Sequence, residues 1–359
     1  MPQESFKLVI DGGGTKTAAI LVSSLDSSYF RGFSGPSNAV TVRPKEVVES
    51  VKAAAKEALL QRYRHLKSSG EKLSLHLERV NFDTIWVGLA GIFSIEKRAY
   101  DLLYELFQES FGVNSKQLKL VSDSYLLPSA MSLREEVKFC ITVIAGTGSS
   151  SMCFEYLPKK RDYIFMGKSG GWGPHLGDPG SGYSIGLEAL RSALSAVDNI
   201  LIHKLHDDSS LRLTRLHLRV IEQFVADGEN ENELKLFLST VNDLMNEESR
   251  GSLRKKKVAS LAKIVFEELS SVDGSEKISL CILEQESFRL AQTILPLTKF
   301  INMSETLLVL TGSVFSSEIY QNLFFSHLKE RNIIFKEHYF VSEPAITAIE
   351  ALLREEAFT

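Results

Sequence analysis

The chain of 359 residues carries 41 Lys and Arg against 45 Asp and Glu, a formal net charge of −4, and 44% of its residues are hydrophobic. That length exceeds one typical core and predicts two domains, and the even balance of charge leaves no basic footprint for nucleic acid. Glu4 and Lys7 fall where a secretory signal would need an apolar core, no segment approaches membrane-spanning length, and the isolated Cys140, Cys153 and Cys281 suit reduced thiols, so a cytoplasmic protein without membrane partners is expected.

Lys7–Ile10 and Thr17–Val22 are predicted strands, and a third near Ser28–Gly32 completes a meander. Between the first two lies Asp11-Gly-Gly-Gly-Thr-Lys-Thr17, a turn whose backbone N–H groups can close around an anion. Thr15 and Thr17 offer hydroxyl donors, Lys16 a positive charge, and Asp11 a carboxylate for magnesium or its waters. A Walker loop or a dinucleotide fingerprint would open a helix, whereas Ala18–Val22 is an aliphatic run suited to a returning strand. An ordinary hairpin turn is the plain alternative. Pro44 then opens a long helix over Lys45–Leu60, Ser68–Ser74 is a polar loop, and Thr84–Gly91 is a strand running into glycine. Glu96–Phe111 follows as an amphipathic helix. Leu118–Ser122 is a strand that delivers Asp123 at its carboxyl end, where ligands of open α/β sheets gather. Ser124–Leu133 begins the passage into a second domain.

Val143–Ser151 repeats the pattern of Val9–Thr17, with Gly146 against Gly12 and Gly148 against Gly14, so two similar half-structures are expected. Ser181–Val197 and several segments between Leu211 and Ile301 have helical periodicity, which makes the second half helix-rich. The basic clusters Lys159-Lys-Arg161 and Arg254-Lys-Lys-Lys257 are taken as solvated faces, help to an approaching nucleotide being the lesser reading of the second. Leu307–Val314 runs from an apolar strand into a small-residue turn that could meet an adenosine group. Asn332–Phe340 is a predicted strand and Glu343–Glu356 a terminal helix with Pro344 at its start.

In this order and at these positions the three loops resemble the phosphate-one, phosphate-two and adenosine segments of the sugar kinase, Hsp70 and actin superfamily. Gly170–Tyr183 resembles the substrate segment of eukaryotic N-acetylglucosamine kinases, within the BadF/BadG/BcrA/BcrD ATPase group. The likeness covers nearly the whole chain and is weakest over Arg62–Arg79 and Leu201–Lys257. It implies an α/β fold of two ribonuclease H-like (actin-like ATPase) domains around a nucleotide cleft, the second helix-rich. Residues 1–123 with the C-terminal helix 344–359 would form the first domain and residues 124–343, with a helical insertion, the second. It further implies ATP and Mg2+ as cofactors, a homodimer, and phosphorylation of N-acetyl-D-glucosamine at the 6-hydroxyl. Kinases of glucosamine, glucose or N-acetylmannosamine, and a non-kinase ATPase activator, are the rivals. Activators of the group carry an iron–sulfur cluster on clustered cysteines, and zinc-containing bacterial sugar kinases a cysteine-rich motif; neither pattern occurs in this chain.

Carried over residue by residue, the resemblance makes Asp123 the general base, in contact with the sugar; position alone leaves a helix N-cap equally open. Asp178, in Gly177-Asp-Pro-Gly180, would accept hydrogen bonds from sugar hydroxyls or serve only its turn, and Pro179 stands where family members usually have Glu. Gly171, Trp172 and Gly173 would wall the sugar, the alternative for Trp172 being core packing. Asn38 matches the substrate asparagine, though alone it is only a turn residue. For the nucleotide, Gly13, Thr15 and Lys16 would face the β- and γ-phosphates, with Gly146, Thr147 and Gly148 approaching from the other domain. Gly312, Ser313 and Val314 would meet the adenosine, Ala259 would lie near the base or simply pack a helix, and Asp11 would meet magnesium, through water.

Overall fold

A computed structural model describes residues 4–66, 76–134, 136–160, 162–206, 210–225, 230–246 and 251–357. The loop expected at Ser68–Ser74, and Arg161 of the first basic cluster, lie outside these. The chain divides into two compact units, one of Met1–Val137, Tyr156–Tyr163 and Val341–Thr359, the other of Lys138–Glu155 and Ile164–Phe340.

In the first unit, β1 (Phe6–Gly12), β2 (Thr17–Ser23) and β3 (Tyr29–Ser34) form an antiparallel meander. β1 and β2 are almost continuously apolar and buried, as strands covered on both faces must be. β3 alternates buried and exposed residues and forms the sheet edge. β4 (Phe82–Leu89) joins β1 in parallel and β5 (Leu118–Val121) joins β4 in parallel, giving the order β3-β2-β1-β4-β5. Helix α1 (Pro44–Leu66) packs on β2 and β3, and it comes so close that a Cβ on Gly32 would stand 1.9 Å from the Ala54 carbonyl oxygen. Helix α2 (Lys97–Phe111) buries Phe107 and Phe111, the latter meeting Phe82 edge-on at 5.7 Å between ring centroids. Asp123–Leu133 is a 3-10 run packed on the terminal helix, so it stays within the first unit rather than leaving it.

The second unit repeats the same order of strands. Its meander is β6 (Phe139–Ala145), β7 (Ser149–Leu157) and β8 (Asp162–Ser169). The helices that follow are α3 (Gly182–Leu205), α4 (Arg215–Ile221), α5 (Glu231–Asn246), α6 (Gly251–Ser260), α7 (Ala262–Glu267), α8 (Ser275–Gln292) and α9 (Leu295–Thr298). β9 (Thr306–Thr311) then pairs in parallel with β6, and after α10 (Glu318–Glu330) comes β10 (Glu337–Val341), giving β10-β9-β6-β7-β8. The likeness of Val9–Thr17 to Val143–Ser151 is thus the trace of two sheets with one strand plan. The last strand begins five residues later than expected. Asn332 adopts a left-handed conformation (φ 55°) and the Ile333 N–H bonds back to Leu328 O at 3.0 Å, so these residues close α10 instead of extending. The chain ends in α11 (Pro344–Ala357). Among the described residues no helix is long and apolar enough to cross a membrane.

Candidate active site

The first unit gathers its polar residues at the carboxyl ends of the parallel strands β1, β4 and β5. Register places Asp11 beside Gly88, and Gly88 beside Val121, two residues before Asp123. Gly88 is needed there, because a Cβ on it would lie 3.1 Å from Asp123 Cα and 2.9 Å from Leu126 Cδ1. Burial pushes the Asp11 carboxyl up to about 6, the neighbouring Asp123 charge adds to this, and Lys16 opposes it. Asp123 is raised as well, chiefly by burial, against hydrogen bonds that favour its ionised form. The Ser122 hydroxyl (2.9 Å) and the Ser124 N–H (2.8 Å) both donate to Oδ1. Ser122, not Asp123, holds the N-cap position of the 3-10 run, and it makes no side-chain cap bond.

The β1–β2 turn is closed by Gly13 N–H donating to Lys16 O at 2.9 Å. Gly12 is the sterically obliged glycine, since a Cβ there would lie 2.5 Å from both Leu89 Cδ2 and Ser37 Oγ, whereas Gly14 faces open space. Gly14, Thr15 and Lys16 are exposed. Thr17 is fully buried and its hydroxyl donates to the Gly35 carbonyl (2.8 Å) and lies 2.7 Å from Ser37 Oγ. It therefore braces the turn rather than offering the donor its sequence position suggested. Lys16 Nζ sits 5.8 Å from the centre of the Phe33 ring. Asn38 Oδ1 accepts from the N–H groups of Val40 (2.9 Å) and Thr41 (3.3 Å), an Asx turn that leaves the Nδ2 amide, a donor only, for other work. This turn is docked on the strand ends through Ala39 N–H to Ala90 O (2.9 Å) and Ala90 N–H to Gly12 O (2.8 Å).

In the second unit the corresponding turn, between β6 and β7, is closed by Gly146 N–H to Gly148 O at 2.9 Å. The start of α3 seals it from behind, Gly182 N–H donating to Gly146 O at 2.7 Å. Gly312 has φ 103°, and a Cβ on it would come 2.3 Å from Ala145 O, so the third loop can lie against the second only with glycine at this position. Gly146, Thr147, Ala259, Ser313 and Val314 all line one cavity of about 660 Å³. Lys263, Phe266 and Ile319 line it too, and nothing in their local sequence marked them. Gly148 and Gly312 flank this cavity without lining it.

The loop from Gly170 to Gly180 is built on five left-handed glycines, Gly170, Gly171, Gly173, Gly177 and Gly180. Asp178, only 3% exposed, accepts from Gly173 N–H at 3.0 Å through Oδ1, while its Oδ2 lies 2.8 Å from where a Cβ on Gly148 would stand. Trp172 is 66% exposed, so it is no core residue. The far end of the loop is tied down by groups that the sequence did not single out. Fully buried Glu286 accepts from Gly180 N–H (2.8 Å) and from Arg289 (2.6 Å), Tyr320 donates its hydroxyl to Gly180 O (3.1 Å), and Ser149 donates to Pro179 O (2.7 Å). Burial raises the Tyr320 phenol well above its ordinary value, helped by the Glu286 charge, so it stays a donor.

Residues 8–350 match the model of the BadF/BadG/BcrA/BcrD ATPase family. The chain is 28% identical over 303 residues to an N-acetylmuramic acid/N-acetylglucosamine kinase of Clostridium acetobutylicum, a match that covers 84% of this chain and 82% of that protein. It is 32% identical over 201 residues to an N-acetyl-D-glucosamine kinase of Dictyostelium discoideum, covering 56% and 57% respectively. Among solved structures, a candidate N-acetylglucosamine kinase from Chromobacterium violaceum gives a TM-score of 0.60 at 18% identity over 98% of both chains. Its counterpart from Porphyromonas gingivalis gives 0.60 at 15% identity over 98% and 99%. These two establish the fold, an α/β architecture of two mixed five-stranded sheets with helices around them.

Proposed function

The chain belongs to the BadF/BadG/BcrA/BcrD ATPase family, and from that premise we propose that it transfers the γ-phosphoryl group of ATP to the 6-hydroxyl of N-acetyl-D-glucosamine. The observation that carries this reading is the convergence of Asp11, Asp123 and the Asn38 amide at the carboxyl ends of three parallel strands. A sugar hydroxyl needs a base as it attacks phosphorus. Asp123 Oδ2 takes that proton, the new O–P bond forms as the β–γ bridging bond breaks, and ADP departs. Burial makes this carboxylate a stronger base than an exposed one, and two bonds to Oδ1 hold its orientation.

The second unit holds the nucleoside in its 660 Å³ cavity, with Gly146 and Thr147 toward the phosphates. On the same reading Gly13, Thr15 and Lys16 are assigned to phosphate binding. Asp11 fits a magnesium ion, directly or through water. Two close, half-buried carboxylates opposed by Lys16 form a site that a divalent cation relieves. The ion's chemistry is neutralisation of charge on the phosphate oxygens. Asn38 donates to the sugar through Nδ2, Asp178 accepts from it through Oδ2, and exposed Trp172 supplies a stacking face. The same reading has a cytoplasmic homodimer, which light scattering tests.

Asp123→Asn is expected to abolish transfer while leaving ATP affinity within about threefold of the native protein, by analogy with other base removals. Measurable turnover in that variant sinks the assignment. Coupled ADP release across N-acetylglucosamine, N-acetylmuramic acid, glucosamine, glucose and N-acetylmannosamine fixes the acceptor. ADP release indifferent to every sugar overturns the kinase reading.

A further inference from the structure

The basic run Arg254-Lys-Lys-Lys257 is no single solvated face, because its side chains part in different directions. Arg254 donates to Met245 O (2.6 Å) and pairs with His175 Nε2 (3.1 Å) on the glycine-built loop. Lys257 Nζ covers the Phe224 ring at 5.3 Å, and Lys256 is exposed. Lys255 alone turns toward the second glycine turn, its Nζ 3.7 Å from the point a Cβ on Gly148 would occupy. It is half-buried, and among the described residues it makes no ion pair.

The placement follows from how α6 is seated. Gly186 of α3 lets α6 approach until a Cβ on Gly186 would stand 1.9 Å from Val258 O, and Gly182 similarly faces Ala259 O at 3.5 Å. Ala259 then lines the nucleoside cavity. Lys255, four residues earlier, lies on the same face of the helix, one turn along it. One helix face thus has a small residue at the nucleoside and an unpaired ammonium at the turn assigned to the phosphates. Partial burial strengthens such a charge toward an arriving anion. Asp178 Oδ2 lies at the same glycine and repels phosphate, so a cation is required there if an anion is to settle.

We propose that Lys255 is a catalytic residue that binds the terminal phosphates of the nucleotide and offsets their charge during transfer. The proposal rests on the nucleotide assignment made above, and deepens it. The test measures dissociation constants of ATP, ADP and AMP for the full-length native protein, Lys255→Met and Lys255→Arg, together with kcat and the sugar KM. Lys255→Met is expected to weaken ATP by about tenfold to a hundredfold, the loss of one charge-assisted contact. It should also lower kcat and leave AMP within twofold, which shows that the cavity is intact; Lys255→Arg should restore most of the ATP affinity. The proposal is overturned if ATP affinity stays within twofold while the sugar KM rises, for then Lys255 serves Asp178. It is overturned equally if all three nucleotides weaken alike. A native protein that phosphorylates no sugar defeats the kinase reading, yet the nucleotide comparison still decides Lys255.

Discussion

Asp11 and Asp123 face each other with little counter-charge, and the protein bears that cost whenever no cation is bound. The sign is set by the direction of the shift. An Asp11 carboxyl held at about 6 instead of the ordinary 3.8 keeps its proton longer in the folded than in the unfolded chain. Below about pH 4 both states are protonated and nothing is lost. As pH rises from about 4 to 6 the unfolded chain ionises first and stability falls, and above that the penalty is complete, about 1–3 kcal/mol. Asp11→Asn is therefore expected to melt higher than the native protein at pH 7.5 without added magnesium, to match it near pH 4, and to lose magnesium-dependent turnover. Thermal melts at the two pH values check the sign; a lower melting temperature at pH 7.5 contradicts it. At this scale the sequence pointed at Asp11 and Asp123 through their positions after strands. It did not separate Thr15 from Thr17, because the choice depends on Ser37 and Gly35, some 20 residues away, which take the Thr17 hydroxyl out of use.

The elements were legible wherever a glycine turn or a proline punctuates an apolar run. The β1–β2 and β6–β7 hairpins and the helices beginning at Pro44 and Pro344 are of this kind. The Gly170–Gly180 loop is different. Its five left-handed glycines allow its path, but its anchoring comes from α8 and α10. Glu286→Ala leaves the Gly180 N–H buried without a partner and removes the nearer of two carboxylates from Arg289, which keeps Glu188 at 3.4 Å, a loss of about 1–3 kcal/mol. Denaturant unfolding should show that loss, and the sugar KM should rise severalfold while ATP affinity holds, because Gly180 ends the loop that carries Trp172 and Asp178. An unchanged sugar KM in a folded variant would mean that the loop keeps its form without Glu286. Nothing local flags Glu286, one acidic residue among several along α8.

At the scale of the molecule, two units each bury an apolar cluster of their own, and one strand plan serves both. Among the described residues, the cavity proposed for the nucleoside is lined by residues of the second unit. ATP at a hundred times its dissociation constant is thus expected to stabilise by about 2.7 kcal/mol. In calorimetry the shift should fall on the second unit's transition if the two units melt separately. Adenosine should give a smaller shift of the same transition. A shift confined to the other transition would refute the cavity as the nucleoside's place.

By itself the sequence determined the order of strands and helices in outline, the doubled glycine turns and the identity of the family, because each is written in residues close together in the chain. Glycine between apolar runs bends a hairpin whatever surrounds it. Only the tertiary structure decided which of those residues remain available for chemistry. Gly180 meets Glu286 across 106 residues. Lys255 reaches Gly148 only because glycines in α3 let another helix come close, and Asn38 keeps a free amide only because its oxygen is spent on its own turn. A side chain's availability is what remains after every long-range contact has been made, and no local pattern carries that remainder.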